Sequence, residues 1–297
     1  MKRVFYIVGP TAVGKSELAA EVAQRLVAEV VSADAFQIYR GLDVLTAKPD
    51  RETLAKVPHH LIGAVPLSVE MNAEKFRVAA NAFVARGKPM IVVGGTGLYI
   101  KALTHGLATL PEPDQQLREK LERTTTEELF RSLCGLDPVG AENIDPYNRR
   151  RLIRAVEVCL LTGKPFTAQR TEWNETAPVN SGVVLARDRA ELYARIDQRV
   201  EQMFTSGVVE EVRHAENIGP TAAQTLGLRE IRSLIAGEIS EAECIARIQQ
   251  ATRRYAKRQL TWFRRQTNFS SLNLSAHDPA EAVELISQSA SRVLTLG

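Results

Sequence analysis

A chain of 297 residues, 44% apolar and 25% charged with a net charge of +3, has material for one or two soluble domains with a sizeable core. It contains no run of 18 apolar residues, which excludes a membrane-spanning helix. Its three cysteines (Cys134, Cys159, Cys244) stand far apart with no C-x-x-C, so zinc and redox-pair signals are absent. The basic N-terminus and short apolar stretch run straight into Gly9-Pro10 rather than a cleavage-like region, so free thiols without an export signal predict a cytoplasmic protein.

In chain order, "RVFYIV" (3–8) predicts a strand, 15–28 a helix, 29–33 a second strand ending at Asp34, and "HHLIGAV" (59–65) a third. Residues 72–86 read as helix, and "KPMIVVGGTG" as strand and glycine turn, followed by the helix "LYIKALTHG". Short apolar strands alternating with helices predict a parallel sheet covered on both faces. After Gly106, "LATLPEPDQQ" is a connection, and 114–165 is helical in pattern with no strand signal. "SGVVLARD" (181–188) predicts a strand returning to the sheet, with helices over 189–206, 208–217 and 240–265. The predicted fold class is α/β: a P-loop NTPase-like parallel sheet core flanked by helices, residues 1–112 and 181–297, with a small all-helical insertion domain at 113–180.

Residues 9–16, GPTAVGKS, fit G-x-x-x-x-G-K-[ST] between a predicted strand and a helix. In such a loop the glycines let backbone N–H groups turn toward phosphate oxygens, Lys15 adds a point charge and Ser16 reaches a magnesium ion. The following helix directs its positive end at the same place. Nucleotide hydrolases add an acidic residue at the end of another strand to hold magnesium. Here "MIVVGG" ends in glycines, no N-K-x-D occurs, and the D-x-x-G match at Asp137 to Gly140 lies in the helical insertion. The loop therefore predicts a diphosphate site without a signature for NTP hydrolysis.

Asp34, in "SADAFQIYRG", is the one carboxylate at a strand end. In an open parallel sheet ligands sit at the carboxyl ends of strands, so it should face the phosphate loop as a general base or metal ligand. Gln37 and Tyr39 offer an amide for a base edge and a ring for stacking. The bland alternative is a turn-forming Asp beside ordinary surface residues.

Charge is unevenly spread. From Cys244 to His277 there are seven Lys and Arg side chains and no acid. On the helix containing "RRYAKRQLTWFRR", Arg253, Arg254, Lys257, Arg258, Arg264 and Arg265 form one stripe, with Tyr255, Leu260, Trp262 and Phe263 opposite as core. In "NRRRLIRAVEVCLL", Arg150, Arg151 and Arg154 share a face opposite Leu152, Val156 and Cys159. Cations in the first turns oppose the helix dipole, at a cost on the order of a few tenths of a kcal/mol each, which phosphate contact would offset better than solvent. Both faces predict a polyanion partner. On the residues alone, an ATP-using small-molecule kinase and a non-catalytic P-loop RNA-binding module both remain readings of this chain.

The combination GPTAVGKS, SADAFQIYRGLDVLTAKP, VPHHLI, GGTGLYIKAL, RRRLIRAVEV, TGKPF and KRQLTWFR closely resembles the bacterial tRNA dimethylallyltransferases, from residue 4 to about residue 266. The resemblance implies transfer of a dimethylallyl group from dimethylallyl diphosphate to N6 of adenosine 37 in tRNA, with Mg2+ as cofactor. The anticodon stem-loop would be the partner of a monomeric enzyme. It assigns the diphosphate to Gly9, Pro10, Thr11, Ala12, Val13, Gly14, Lys15 and Ser16, with Arg195 gripping it as well. Thr11, Lys15 and Ser16 would act in catalysis beside Asp34 as base. Contacts to tRNA would fall on Asp34, Ala35, Phe36, Gln37, Thr96, Arg118, Arg150, Arg151 and Arg154. Four positions depart from the family pattern: Ala35 for serine, Leu45 for glycine, Arg150 for glutamine and Leu228 for tyrosine.

Overall fold

The computed structural model describes residues 3–107, 110–169 and 181–295. The chain divides into two compact units, Met1–Thr104 with Pro178–Gly297, and His105–Ala177. The second unit starts upstream of the predicted residue 113, because Gly106 at φ 78° ends the preceding helix. The predicted limit at residue 180 lies outside the described residues.

The first unit is built on six strands, β1 (Val4–Val8), β2 (Glu29–Ser32), β3 (His59–His60), β4 (Met90–Gly94), β5 (Ser181–Ala186) and β6 (Ser270–Asn273). They form one sheet in the order β3-β2-β4-β1-β5-β6, parallel throughout. Every residue of β1, β2 and β4 is buried, as central parallel strands covered on both faces require. Four helices precede the second unit: α1 (Lys15–Arg25), α2 (Arg51–Lys56), α3 (Ala73–Val84) and α4 (Gly97–His105). The second unit holds α5 (Gln115–Arg123), α6 (Thr126–Leu136), α7 (Pro138–Glu142) and α8 (Arg149–Thr162). Five follow: α9 (Arg189–Thr205), α10 (Val208–Arg213), α11 (Leu228–Ile235), α12 (Glu241–Gln266) and α13 (Pro279–Leu294).

Alternate strand residues point to the same face. Phe5 and Ile7, Ile91 and Val93, and Val183 and Leu185 therefore cluster with Val22 and Ala23 of α1 and Val283, Ile286 and Ala290 of α13. Each large side chain buried this way contributes roughly 1.5–3 kcal/mol. The predicted strand over 59–65 shrinks to two residues because Leu61 and Gly63 adopt left-handed conformations, leaving Val65 to a single bridge with Tyr39. Beyond the predicted set the structure adds α2, α11, the polar edge strand β6 and α13. The last begins on the Asp278 cap with Pro279 in its first turn.

The second unit is all-helical. Leu121, Leu129, Leu133, Ile144, Leu152, Val156, Cys159 and Phe166 form its core. A capping box between Thr125 and Glu128 starts α6, and the Asn148 side chain caps α8.

Candidate active site

The turn after β1 carries the phosphate loop. Gly9 is at φ 154°, and a Cβ there would lie 2.6 Å from the Leu185 carbonyl, so only glycine fits. Ala12 (φ 62°) and Gly14 (φ 99°) are also left-handed, and Gly14 is the N-cap of α1. The loop's carbonyls are held from outside by cations. Lys15 Nζ donates to the Pro10 carbonyl at 2.6 Å, Arg195 Nε to Ala12 at 2.9 Å and Arg187 Nε to Val13 at 3.0 Å. Arg199 donates to the Thr11 hydroxyl and to the Ala47 carbonyl, both at 3.1 Å. Burial pushes the Lys15 ammonium down to about 8, although Asp34 pulls the other way. Burial likewise lowers the Arg199 guanidinium, with Asp34 again opposing it. So much positive charge around a loop at the N-terminus of α1 is an arrangement suited to an anion.

Asp34 follows β2. Its Oδ1 accepts from the backbone N–H groups of Phe36 (2.9 Å) and Gln37 (3.2 Å), while Oδ2 has no hydrogen-bond partner among the described residues. The turn after β4 lies between this segment and the phosphate loop, because β4 separates β2 from β1 in the sheet. Ala35 N donates to Thr96 Oγ1 at 2.9 Å, and Thr96 N donates to the Ala33 carbonyl. The Gln37 amide donates to the carbonyls of Thr46 and Ala47 and its oxygen accepts from Ser32, so it is spent on holding the 42–48 segment. That segment is also seated on Glu211, whose carboxylate accepts the N–H groups of Asp43, Val44 and Leu45. Thr11, Lys15, Ser16, Asp34, Gln37 and Arg195 all line one cavity of about 1220 Å³. A pocket for a single small molecule runs to about 300–1,000 Å³, and this one lies just above that range.

Arg199 and Gln259 also line this cavity, with Tyr255 behind them against Thr96 and Gln259, and none of the three was predicted as a site residue. Arg199 stands four residues after Arg195 on the same face of α9, and Tyr255 and Gln259 share a face of α12 by the same spacing. That periodicity was the available signal. Gln259 is only 6% exposed; its Oε1 accepts from Thr11 N and its Nε2 donates to the Gly95 carbonyl, both at 2.9 Å. Burial raises the Tyr255 phenol, and the negative charge of Asp34 adds to that. Tyr255 thus leaves the predicted aromatic core for the site, whereas Phe263 is buried and Trp262 lies flat against Gly97.

In the second unit the predicted arginines separate into two kinds. Arg150 and Arg151 are exposed at the start of α8. Arg118 and Arg154 instead share Oε2 of Glu157, a fully buried carboxylate, at 3.0 and 2.6 Å, and Arg154 also donates to the Pro111 carbonyl. On α12, Arg253 pairs with Asp197 at 3.1 Å and so leaves the predicted stripe. Arg254, Lys257, Arg258, Arg264 and Arg265 are exposed and have no ion-pair partner among the described residues. Magnesium finds a modest donor set. Ser16 presents a hydroxyl with no protein hydrogen bond among the described residues, and no cluster of three acidic, His or Cys ligands exists among them. This suits an ion held chiefly by substrate phosphates rather than by a protein cage.

The IPP transferase family description matches residues 37–266, and that of isopentenyl transferase matches residues 2–68. The tRNA dimethylallyltransferase 1 of Citrifermentans bemidjiense is 44% identical over 272 residues, covering 88% of this chain and 89% of its own. The tRNA dimethylallyltransferase of Akkermansia muciniphila is 42% identical over 282 residues, covering 94% and 96%. Among solved structures, the full-length tRNA isopentenylpyrophosphate transferase of Bacillus halodurans superposes with a TM-score of 0.72 at 33% identity, covering 99% of this chain and 97% of that one. A eukaryotic dimethylallyltransferase acting on tRNA superposes with a TM-score of 0.81 at 26% identity, covering 98% and 78%. The six-stranded parallel sheet, the phosphate loop and these likenesses along nearly the whole sequence agree: the chain belongs to the IPP transferase family.

Proposed function

We propose that the protein is a prenyltransferase of tRNA modification, moving a dimethylallyl group from dimethylallyl diphosphate to N6 of adenosine 37 and releasing pyrophosphate. The observation that carries the reading is the shared cavity, in which a carboxylate with an unengaged oxygen, Asp34, lines the same space as a cation-rich phosphate loop. The leaving group would sit on the amides of residues 12–16, with Lys15, Arg195 and Arg199 countering the negative charge that builds on it. As the bond to the diphosphate breaks, the allylic carbon becomes electron-poor and N6 attacks it. Asp34 Oδ2 takes the proton that the exocyclic amine must lose. A magnesium ion would be held by Ser16 together with the diphosphate oxygens, and when bound it neutralises charge on the departing group.

The adenine must leave its stack in the anticodon loop to reach the cavity, which costs on the order of a few kcal/mol. Contacts from Ala35, Phe36, Gln37, Thr96, Arg118, Arg150, Arg151 and Arg154 would offset that cost in the tRNA complex. For Gln37, Arg118 and Arg154 such contacts require exchanging the internal hydrogen bonds described above. The reading includes a monomer working in the cytoplasm, and no helix among the described residues is long and apolar enough to cross a membrane. Nothing favours a kinase: β4 ends in Gly94-Gly95 where an acidic magnesium ligand would stand.

The deciding experiment incubates the protein with unmodified tRNA and dimethylallyl diphosphate, then measures nucleosides by mass spectrometry. N6-dimethylallyladenosine is the expected product. Its absence, with phosphate transfer from ATP to a small acceptor in a parallel assay, would replace this reading by the kinase.

A further inference from the structure

Three loops must keep their spacing for the proposed reaction: the phosphate loop after β1, the Asp34 segment after β2 and the Gly95-Thr96 turn between them. The last two are joined directly by the Ala35 N–H on Thr96 Oγ1 and the Thr96 N–H on the Ala33 carbonyl. The link between the turn and the phosphate loop is different. Beyond the β1–β4 ladder, which runs up to Val8 and Gly94, it is made by one side chain from a distant helix, Gln259 of α12, whose oxygen takes the Thr11 N–H and whose nitrogen gives to the Gly95 carbonyl. The two partners fix which end of the amide is which, since one needs an acceptor and the other a donor. The site is tight as well: a Cβ on Gly95 would collide with Gln259 Nε2. Tyr255, one turn earlier, lies against Thr96 and Gln259 and so backs the same clamp.

We infer that Gln259 is a positioning residue of the transfer reaction, setting the distance between the leaving-group loop and the Asp34 base. The inference rests on the transferase reading above. Gln259 need touch neither substrate. The remaining loop amides and Lys15 still hold a diphosphate without it, but past the β1–β4 ladder the Thr11 stretch is no longer fastened to the turn that Ala33 and Ala35 bond to. A misplacement of about 1 Å at a reacting centre costs about 10²-fold in rate. Loss of the clamp therefore lowers kcat while leaving donor binding nearly intact.

The test compares Gln259→Met and Gln259→Glu with the parent enzyme, measuring kcat and donor KM for transfer to tRNA and calorimetric binding of inorganic pyrophosphate. Gln259→Met is expected to lower kcat by about tenfold or more, with pyrophosphate affinity within about threefold of the parent. Gln259→Glu keeps the shape. Ionised, it can accept from Thr11 but cannot donate to Gly95; protonated, it does both. Its kcat relative to the parent is therefore expected to be at least about fivefold low at pH about 8 and to rise on acidification as the introduced carboxyl takes up a proton, burial raising the pH of that rise and the nearby Lys15 and Arg199 lowering it. That rise is a readout no simple packing defect produces. Near-parent kcat in Gln259→Met, or near-parent kcat in Gln259→Glu at pH about 8, overturns the inference. Should the methionine variant fail to fold, the kcat of the glutamate variant at pH about 8 alone decides. A parent enzyme that transfers no dimethylallyl group would instead overturn the functional reading, and the two failures are told apart by that control.

Discussion

Asp34 and Lys15 face each other across one cavity, and each makes a separate demand. Asp34→Asn keeps the Oδ1 contacts to Phe36 and Gln37 but cannot take a proton, so turnover is expected to fall by about 10²–10⁴ while tRNA affinity stays near the parent value. Turnover within a few-fold of the parent in a single-turnover assay would remove Asp34 from the base role. Lys15 sets a pH limit. Its ammonium titrates at about 8 in the empty site, so above that pH the loop loses a positive charge before the donor arrives. kcat/KM for the donor should therefore fall as pH rises through about 8. Bound diphosphate favours the charged form, so kcat itself should hold to higher pH. Coincident declines in both profiles would show that the limiting group is another. At this scale the phosphate loop and Asp34 were legible because motif and strand-end position mark them locally, whereas Arg195 entered only through the family resemblance. Arg199 and Gln259 were not legible. Their partners, Thr11 and Gly95, are distant in sequence and meet them only in the folded sheet.

Elements were legible where hydrophobic period and caps agreed. The central strands β1, β2 and β4 and helices α3, α9 and α12 fall close to their predicted ranges because each has a strong apolar face. The edge strand β6 is polar and mostly exposed, since only one neighbour covers it, and so has no period to read. Two departures from the family pattern, Leu45 and Leu228, are buried. Leu45 is buried with its Cδ1 about 3.1 Å from where a Gly227 Cβ would stand, next to Leu228. Both departures thus fall on core positions. In the second unit, Asp137 is 1% exposed. It accepts from Gly140 N at 2.8 Å and from both the backbone N–H and the hydroxyl of Thr167. Asp137→Ala leaves those donors unpaired and is expected to cost this unit about 3 kcal/mol, seen as a lower denaturation midpoint. An unchanged midpoint would mean that water replaces the carboxylate.

Charge belongs to the scale of the whole molecule. A net of +3 says little, but the exposed unpaired cations of α12 mean that much of the polyanion-attracting field comes from one helix. Changing Lys257 and Arg265 together to Ala is expected to reduce the slope of log affinity for tRNA against log salt by about 1–2, without altering the product. An unchanged slope would assign the phosphates to other surfaces. The phosphate loop itself has a consequence for how the protein is made. It is formed near the amino terminus, yet Arg187, Arg195, Arg199 and Gln259, which hold it, follow the second unit in sequence. A ribosome must therefore release nearly nine-tenths of the polypeptide before the donor pocket can close. Any product that stops short of that point keeps the nucleotide-like fingerprint and lacks the means to use it.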